Sequence, residues 1–90
     1  MTACFVYLVR CADGTLYAGC AKDLEARVRA HNQGRGARYT SGRRPVHVVY
    51  SEACASMSAA LRREYQLKRL TRIQKEALLP SRNRQPRRPD

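Results

Sequence analysis

The sequence predicts an α+β domain in which helices flank a small, mainly antiparallel three-stranded sheet, in the order β-β-α-β-α-α. Two observations predict it. Short β-branched and aromatic runs stand early in the chain around a glycine-containing turn, and later segments show helical spacing behind capping residues. Ninety residues fit one domain. We expect that domain to cover residues 1–79, and residues 80–90 to form a disordered tail with three prolines and four arginines.

The first two strands are predicted as a hairpin formed by Phe5–Cys11 and Thr15–Cys20. A three-residue loop between them pairs Val9 with Tyr17, and such loops commonly end on a left-handed residue, which suits Gly14. Side chains alternate between the faces of a strand, so this register puts four residues on one face. They are Tyr7, Val9, Tyr17 and Gly19. Two half-buried sheet tyrosines would give the same pattern without any catalytic role.

The remaining elements follow from periodicity and capping signals. A glycine after the first helix marks its end, and a Thr-x-x-Gln spacing is a capping box for the last one. The predicted elements are a helix over Lys22–Gln33, a basic loop over Gly34–Pro45, a strand over Val46–Ser51, a helix capped by Ser56 or Ser58 that runs to about Leu70, and a short helix from Thr71 to Leu79.

The charge indicates a polyanionic partner. The chain has 18 Lys and Arg against 7 Asp and Glu, a net charge of +11, and most of the basic residues are arginine, which binds phosphate in bidentate fashion. A genome that favours arginine codons would also enrich arginine, and charge does not separate DNA from RNA. The predicted nucleic-acid contacts are Arg35, Arg38, Tyr39, Arg43 and Arg44 of the loop, together with Lys68.

Other function classes are excluded by composition. No apolar run approaches the roughly 20 residues of a membrane span, and the N-terminus lacks the pattern of a signal peptide. We therefore expect a cytoplasmic protein with no membrane contact. The four cysteines form no CxxC pair, so we interpret them as packing residues rather than disulfides or zinc ligands.

Two helical positions break the expected pattern. Arg27 and His31 lie one turn apart on a face that borders the core, where such a pair suits phosphate binding. On the second long helix, Glu64 falls in the middle of an apolar arc formed by Met57, Ala60, Leu61, Tyr65 and Leu67. A carboxylate facing a core is costly unless it is paired or metal-bound. A salt bridge to Lys68 and a metal site both remain open.

Together these positions resemble the GIY-YIG nuclease superfamily, and in particular its small stand-alone YhbQ-like branch. The resemblance covers roughly residues 5–79. It departs from the family pattern where Phe5 replaces the first glycine and Ala18 replaces the isoleucine. The matching segments are Phe5-Val6-Tyr7, Tyr17-Ala18-Gly19, Asp23-Leu24, Arg27, His31, Gly36-Ala37-Arg38-Tyr39-Thr40 and Leu61-Arg62-Arg63-Glu64-Tyr65.

The resemblance implies divalent-metal-dependent hydrolysis of DNA phosphodiester bonds, with a role in repair or recombination. It implies Glu64 as the ligand of Mg²⁺ or Mn²⁺ and Arg27 as the group that neutralises the scissile phosphate. Tyr7 and Tyr17 would orient the attacking water, and one of them would deprotonate it. His31 would contact phosphate or relay a proton.

The main alternative is a non-catalytic basic module that binds nucleic acid, because charge and loop composition suffice for binding. DNA is the expected partner, and RNA stays open. The sequence also leaves open whether the protein is a monomer or a weak homodimer, and whether a protein partner directs it to its substrate.

Overall fold

The computed structural model describes residues 3–80. Within them a three-stranded antiparallel sheet carries helices, which confirms the predicted α+β class. The strand order is β2-β1-β3, so β1 is central. The elements are β1 (Cys4–Arg10), β2 (Leu16–Ala21), α1 (Leu24–Asn32), α2 (Arg38–Ser41), β3 (His47–Cys54), α3 (Met57–Lys68) and α4 (Arg72–Ala77).

The hairpin has the predicted register. Val9 pairs with Tyr17, and Tyr7 pairs with Gly19. Gly14 ends the three-residue loop with φ of +86°, a conformation in which a residue with a Cβ is strained. Its amide donates to the carbonyl of Cys11 at 2.9 Å. The turn therefore fixes which side chains of β1 and β2 share a face.

Hydrophobic side chains fill both faces of β1, which explains why six of its seven residues are buried. On one face Val6 and Leu8 pack with Leu67 of α3 and with Leu79. On the other face the core is smaller, and half-buried residues of α1 cover it. That second core comprises Tyr7, Val9, Cys11 and Val46, packed against Tyr17, Ala21, Leu24, Val28 and Val48.

The predicted apolar arc of α3 was wrong in two positions. Leu61 is 51% exposed and Tyr65 is 62% exposed. The buried side of α3 instead follows the alternating spacing of three and four residues that faces a sheet. It carries Met57, Ala60, Glu64 and Leu67. The prediction that Glu64 lies on the inward side is confirmed, since 20% of its side chain is exposed.

Several boundaries also differ from the prediction. α1 begins at Leu24 because Asp23 is its N-cap and accepts from the Ala26 amide at 3.0 Å. The segment Gly34–Pro45 is not entirely a loop, because it contains α2. β3 runs on past Ser51 to Cys54, pairing with β1 around an irregularity. Both later helices are shorter than expected, since α3 ends at Lys68 and α4 at Ala77.

The last helix is held by two local devices. The predicted capping box is present, with reciprocal hydrogen bonds between Thr71 and Gln74. Glu76 then forms a bidentate ion pair with Arg10 of β1, at 2.7 and 2.8 Å. The Arg10 guanidinium also donates to the Gly14 carbonyl at 3.1 Å. α4, the central strand and the hairpin turn are thus joined through one side chain.

The four cysteines are free thiols in this structure, and they pack within the domain. Cys4 and Cys11 are buried, while Cys20 and Cys54 are half-buried.

None of the helices between residues 3 and 80 has the length and apolar character needed to cross a membrane. Of the predicted tail only Pro80 belongs to the described residues, so the tail and the boundary after residue 79 stay predictions.

Candidate functional site

The site is built around Tyr7, a fully buried phenol on the central strand. Its ring extends across Gly19 of β2, where a Cβ would lie 2.4 Å from the Tyr7 hydroxyl oxygen. Only glycine leaves room for that crossing. The hydroxyl then hydrogen-bonds to Nε2 of His31, on α1, at 2.8 Å. The hairpin glycine therefore allows a strand residue to reach the helix.

The other side of the His31 ring is held by the segment around α2. Nδ1 lies 2.8 Å from Oγ1 of Thr40, which in turn lies 2.9 Å from the Ala37 carbonyl. Both ring nitrogens are therefore bonded in either tautomer. Nδ1 donates to Thr40, which donates to the carbonyl, or Nδ1 accepts from Thr40 and from the Ala37 amide at 3.4 Å. At Gly36 a Cβ would lie 2.2 Å from Nδ1, so the backbone packs directly on the imidazole.

Burial sets the protonation of this pair. It raises the pKa of Tyr7, while the neighbouring Arg27 guanidinium acts in the opposite direction. It lowers the pKa of His31, and the positive charge of Arg27 lowers it further. At neutral pH the pair is therefore a neutral phenol bound to a neutral imidazole, with a guanidinium beside it. Arg27 carries the positive charge at this point of the site.

Tyr17 is half-buried and is surrounded by rings and a cation. Its ring stacks on Tyr39 with centroids 5.6 Å apart, and meets the edge of His31 at 5.8 Å. The ammonium of Lys68 lies 5.2 Å from the Tyr17 ring centroid. Within residues 3–80 the Tyr17 hydroxyl has no protein hydrogen-bond partner. Of the two phenols, Tyr7 and Tyr17, it is thus Tyr17 whose hydroxyl is available to water or substrate.

Glu64 reaches the same region from the opposite face of the sheet. One carboxylate oxygen lies 3.5 Å from the ammonium of Lys68, and the other lies 3.8 Å from the thiol of Cys20. Because β2 is an edge strand, α3 can present Lys68 to Tyr17 around that edge. The five residues that the sequence singled out as catalytic are therefore brought to one edge of the sheet. Lys68 connects the carboxylate to the aromatic cluster.

The groups at this edge fit a hard divalent cation held by few protein ligands. Glu64 supplies a carboxylate there, and no three His, Cys, Asp or Glu side chains among residues 3–80 are grouped to hold a metal. Magnesium typically keeps several waters and takes one or two carboxylates together with substrate phosphates. The carboxylate is also partly exposed, so an ion has access to it. This donor set suits Mg²⁺ or Mn²⁺ and does not suit a closed zinc site.

The basic residues predicted to bind nucleic acid fall into two groups. Arg35 and Arg38 have exposed side chains. Arg43 lies 4.0 Å above the Tyr39 ring and forms an ion pair with Asp13 of the hairpin turn at 3.0 Å. Arg44 donates to the Ser41 carbonyl at 2.9 Å. Part of the arginine content thus organises the loop, and part is presented to solvent.

Sequence reasoning missed the residues that fix His31. Thr40 is completely buried, and its only sequence signal was its place in the run after Gly36. Cys20, which contacts Glu64, was interpreted only as a packing residue. The roles of this hydroxyl and this thiol are revealed by their partners, which lie on other elements of the fold, 9 and 44 residues away along the chain.

Comparison of the sequence with known protein families identifies the family of this domain. Residues 3–77 match the family described as the GIY-YIG catalytic domain. The chain belongs to the GIY-YIG family. The resemblance inferred from the sequence is thereby confirmed, and membership points to a nuclease superfamily.

Relatives of this GIY-YIG domain include UPF0213 proteins of Staphylococcus aureus. The one from strain Mu3 is 54% identical over 82 residues, which is 91% of this chain and 100% of that protein. Solved structures are similar too. The NMR structure of UPF0213 protein BH0048 from Bacillus halodurans has a TM-score of 0.54 and 41% identity, covering 83% of this chain and 80% of that one. That of EF2693 from E. faecalis has a TM-score of 0.56 and 40% identity, covering 81% and 78%.

Proposed function

We propose that this GIY-YIG domain is a divalent-metal-dependent endonuclease that hydrolyses phosphodiester bonds in DNA. The proposal includes a cytoplasmic location and a role in repair or recombination. The observation that carries it is the meeting of Glu64, Lys68 and Tyr17 at the β2 edge, beside the buried Tyr7–His31 pair. In a domain that only binds nucleic acid, a carboxylate paired with Lys68 would weaken the attraction of that lysine for phosphate.

The phenols have different roles in the proposed reaction. Tyr17, whose hydroxyl has no protein partner within residues 3–80, orients the attacking water and takes its proton. The ammonium of Lys68 lies 5.2 Å from the Tyr17 ring centroid and places positive charge beside this step. The water oxygen bonds to phosphorus, and the bond from phosphorus to one ester oxygen breaks. That oxygen leaves with its sugar and takes a proton from solvent.

The buried pair supports this chemistry without meeting the water. Tyr7 is completely buried, so we assign it to positioning rather than to proton transfer. Through its contact with His31 it keeps α1 against the sheet, and thereby holds Arg27 at the site. Arg27 stabilises the negative charge that builds on the phosphate in the transition state. His31 is also hydrogen-bonded to Thr40, which holds the α2 segment against α1.

The metal would be held by Glu64. When bound, Mg²⁺ or Mn²⁺ would supply positive charge to the phosphate oxygens at this edge. Lys68, 3.5 Å from the carboxylate, provides the countercharge in the protein alone. The arginines of the loop over residues 34–45, together with Lys68, would bind the phosphate backbone of the DNA. Tyr39 would contribute through the ring that it stacks on Tyr17.

The test is cleavage of supercoiled plasmid and branched DNA in Mg²⁺ or Mn²⁺. We expect cutting by the wild-type protein, none in EDTA, and a loss of at least about 100-fold in Glu64→Ala and in the isosteric Glu64→Gln. Tyr17→Phe removes only the hydroxyl oxygen, and we expect a loss of about 100-fold or more with DNA binding retained.

Glu52→Gln is the matched control. Glu52 is also half-buried and ion-paired, but its partner is Arg63 at 3.0 Å and it lies on β3. This variant should cut like the wild type. Cutting by Glu64→Gln at the wild-type rate would refute the site. If no DNA is cut but both DNAs bind with steep salt dependence, the non-catalytic binding module becomes the better description.

A further inference from the structure

The outward side of α3 carries a stripe of exposed aromatic, aliphatic and basic side chains that the proposed reaction does not use. We define this outer stripe as Leu61, Arg62, Tyr65 and Arg69, the last being the residue that caps the helix. Tyr65 is 62% exposed and Leu61 is 51% exposed, so neither is held there by packing in the core. Packing in the core therefore does not account for the position of this ring between two arginines.

The Tyr65 ring is held in place although it is exposed. Its hydroxyl accepts a hydrogen bond from Arg69 at 2.9 Å, and the guanidinium lies 5.5 Å from the ring centroid. Arg62 is likewise fixed by a bond to the Ser58 hydroxyl at 3.0 Å. The stripe therefore presents a pre-positioned ring flanked by cations. Ordering these side chains in advance lowers the entropic cost of binding.

The stripe adjoins the proposed catalytic edge. Residues three and four apart on a helix are surface neighbours, so Lys68 stands between Glu64 and Tyr65. Lys68 in fact contacts Glu64 at 3.5 Å. The opposite flank of α3 instead carries Arg63, which is paired with Glu52. A strand leaving the β2 edge over Lys68 therefore meets Tyr65 next.

From this geometry we infer that the outer stripe binds an unpaired stretch of DNA next to the cleaved bond, with one base stacked on Tyr65. The inference rests on the proposed nuclease function and adds a substrate class to it. Bases inside a duplex are already stacked, whereas an unpaired base offers its face to an exposed ring. The stripe contains no carboxylate, and its arginines suit phosphates on either side of the stacked base. That charge favours a nucleic acid over an apolar protein partner.

The experiment measures binding alone, in EDTA, so that it does not depend on cleavage. Two labelled DNAs are compared by fluorescence anisotropy, a blunt duplex and the same duplex with a single-stranded extension that carries 2-aminopurine. We expect Tyr65→Leu to weaken binding of the extended DNA roughly tenfold and of the blunt duplex less than about twofold. It should also abolish the 2-aminopurine quenching that the wild type produces.

Two further variants separate stacking from other effects. Tyr65→Phe keeps the ring but loses the bond from Arg69, so it should keep the 2-aminopurine quenching and the preference for the extended DNA, with a smaller loss of affinity than Tyr65→Leu. Arg29→Ala removes an exposed arginine from a groove between α1 and β3, and should leave the preference for the extended DNA unchanged. Leucine keeps apolar bulk but has no π face. A Tyr65→Leu protein that binds both DNAs like the wild type would therefore overturn the proposal and leave the stripe to a protein partner.

Equal weakening of both DNAs in Tyr65→Leu would also overturn it, because the ring would then act on duplex and single strand alike. The two proposals fail separately. If the protein cuts no DNA but shows the Tyr65-dependent preference, the nuclease proposal is wrong and the outer-stripe proposal is supported. If it cuts DNA without that preference, the nuclease proposal is supported and the outer-stripe proposal is wrong.

Discussion

Tyr7 and Tyr17 carry the same phenol group on neighbouring strands, and their surroundings separate what each can do. Tyr7 is buried against His31 with its hydroxyl bonded, whereas Tyr17 is half-buried between Tyr39 and Lys68. Residue type alone cannot make this distinction, since the family resemblance assigned both tyrosines to the attacking water. The distinction comes from exposure and hydrogen bonding, which depend on residues distant along the chain.

The buried histidine predicts a pH dependence of stability. The pKa of His31 is lowered in the folded protein, so the unfolded chain binds the proton first as pH falls. Its contribution is complete above the ordinary histidine pKa of about 6.5 and declines below it, by at most about 1.4 kcal/mol per pH unit. Thermal unfolding followed between about pH 7.5 and 5.5 should show this decline.

His31→Gln removes the titrating group, so its stability should change little across that pH window although it is lower throughout. His47→Gln is the control, because His47 is exposed on β3 and its replacement should leave the wild-type decline intact. A wild-type stability that is flat from about pH 7.5 to 5.5 would contradict the assignment of His31 as a buried neutral imidazole.

At the scale of elements, α4 is fastened to the sheet mainly by polar contacts. The side chains of Arg10 and Glu76 are 9% and 18% exposed, so their bidentate pair is largely shielded from water. Removing one partner of a shielded pair leaves the remaining charge uncompensated. The stability of α4 is therefore more sensitive to this pair than to the surface ion pairs.

We predict that Glu76→Gln lowers the free energy of unfolding by about 2 kcal/mol. Chemical denaturation should show a lower midpoint with an unchanged slope. Asp13→Asn is the comparison, because the Arg43–Asp13 pair has side chains 39% and 45% exposed, so solvent screens it and its loss should lower stability less than Glu76→Gln does. Equal losses in the two variants would mean that burial does not decide the strength of these pairs.

Elements with strong local signals could be predicted from the sequence. Gly14 and the alternation around it determined the hairpin register, and Thr71 with Gln74 determined the last cap. α2 could not be predicted, because no side chain caps it and it is held by the Thr40–His31 contact. The buried face of α3 was misjudged at Tyr65, where hydrophobicity suggested the core but the exposed ring bonds to Arg69 instead.

At the scale of the whole molecule, the excess charge is distributed unevenly. Several carboxylates of residues 3–80 are paired with arginine or lysine, at Asp13, Glu52, Glu64 and Glu76. Exposed arginines such as Arg35 and Arg38 remain for an external anion. The composition predicted a polyanionic partner. Only the fold distinguishes arginines that bond within the protein from arginines that are exposed to that partner.

Binding of duplex DNA should therefore weaken steeply with salt. Each phosphate contact contributes about 0.9 to the slope of log K against log salt concentration. The double variant Arg35→Ala/Arg38→Ala should lower the magnitude of that slope by about 2, measured by anisotropy in EDTA across a NaCl series. Arg29→Ala should leave it unchanged, and an equal reduction in that control would mean that only net charge matters.

The aromatic network of the site also determines how the protein can be observed. The chain has five tyrosines and no tryptophan. Tyr7 and Tyr17 both meet the His31 ring, and Tyr39 stacks on Tyr17, so most of the near-ultraviolet chromophores belong to one cluster. Near-ultraviolet circular dichroism of the unlabelled protein should therefore report chiefly on the integrity of this site. The folding of a variant and the intactness of its site can then be read from two regions of one spectrum.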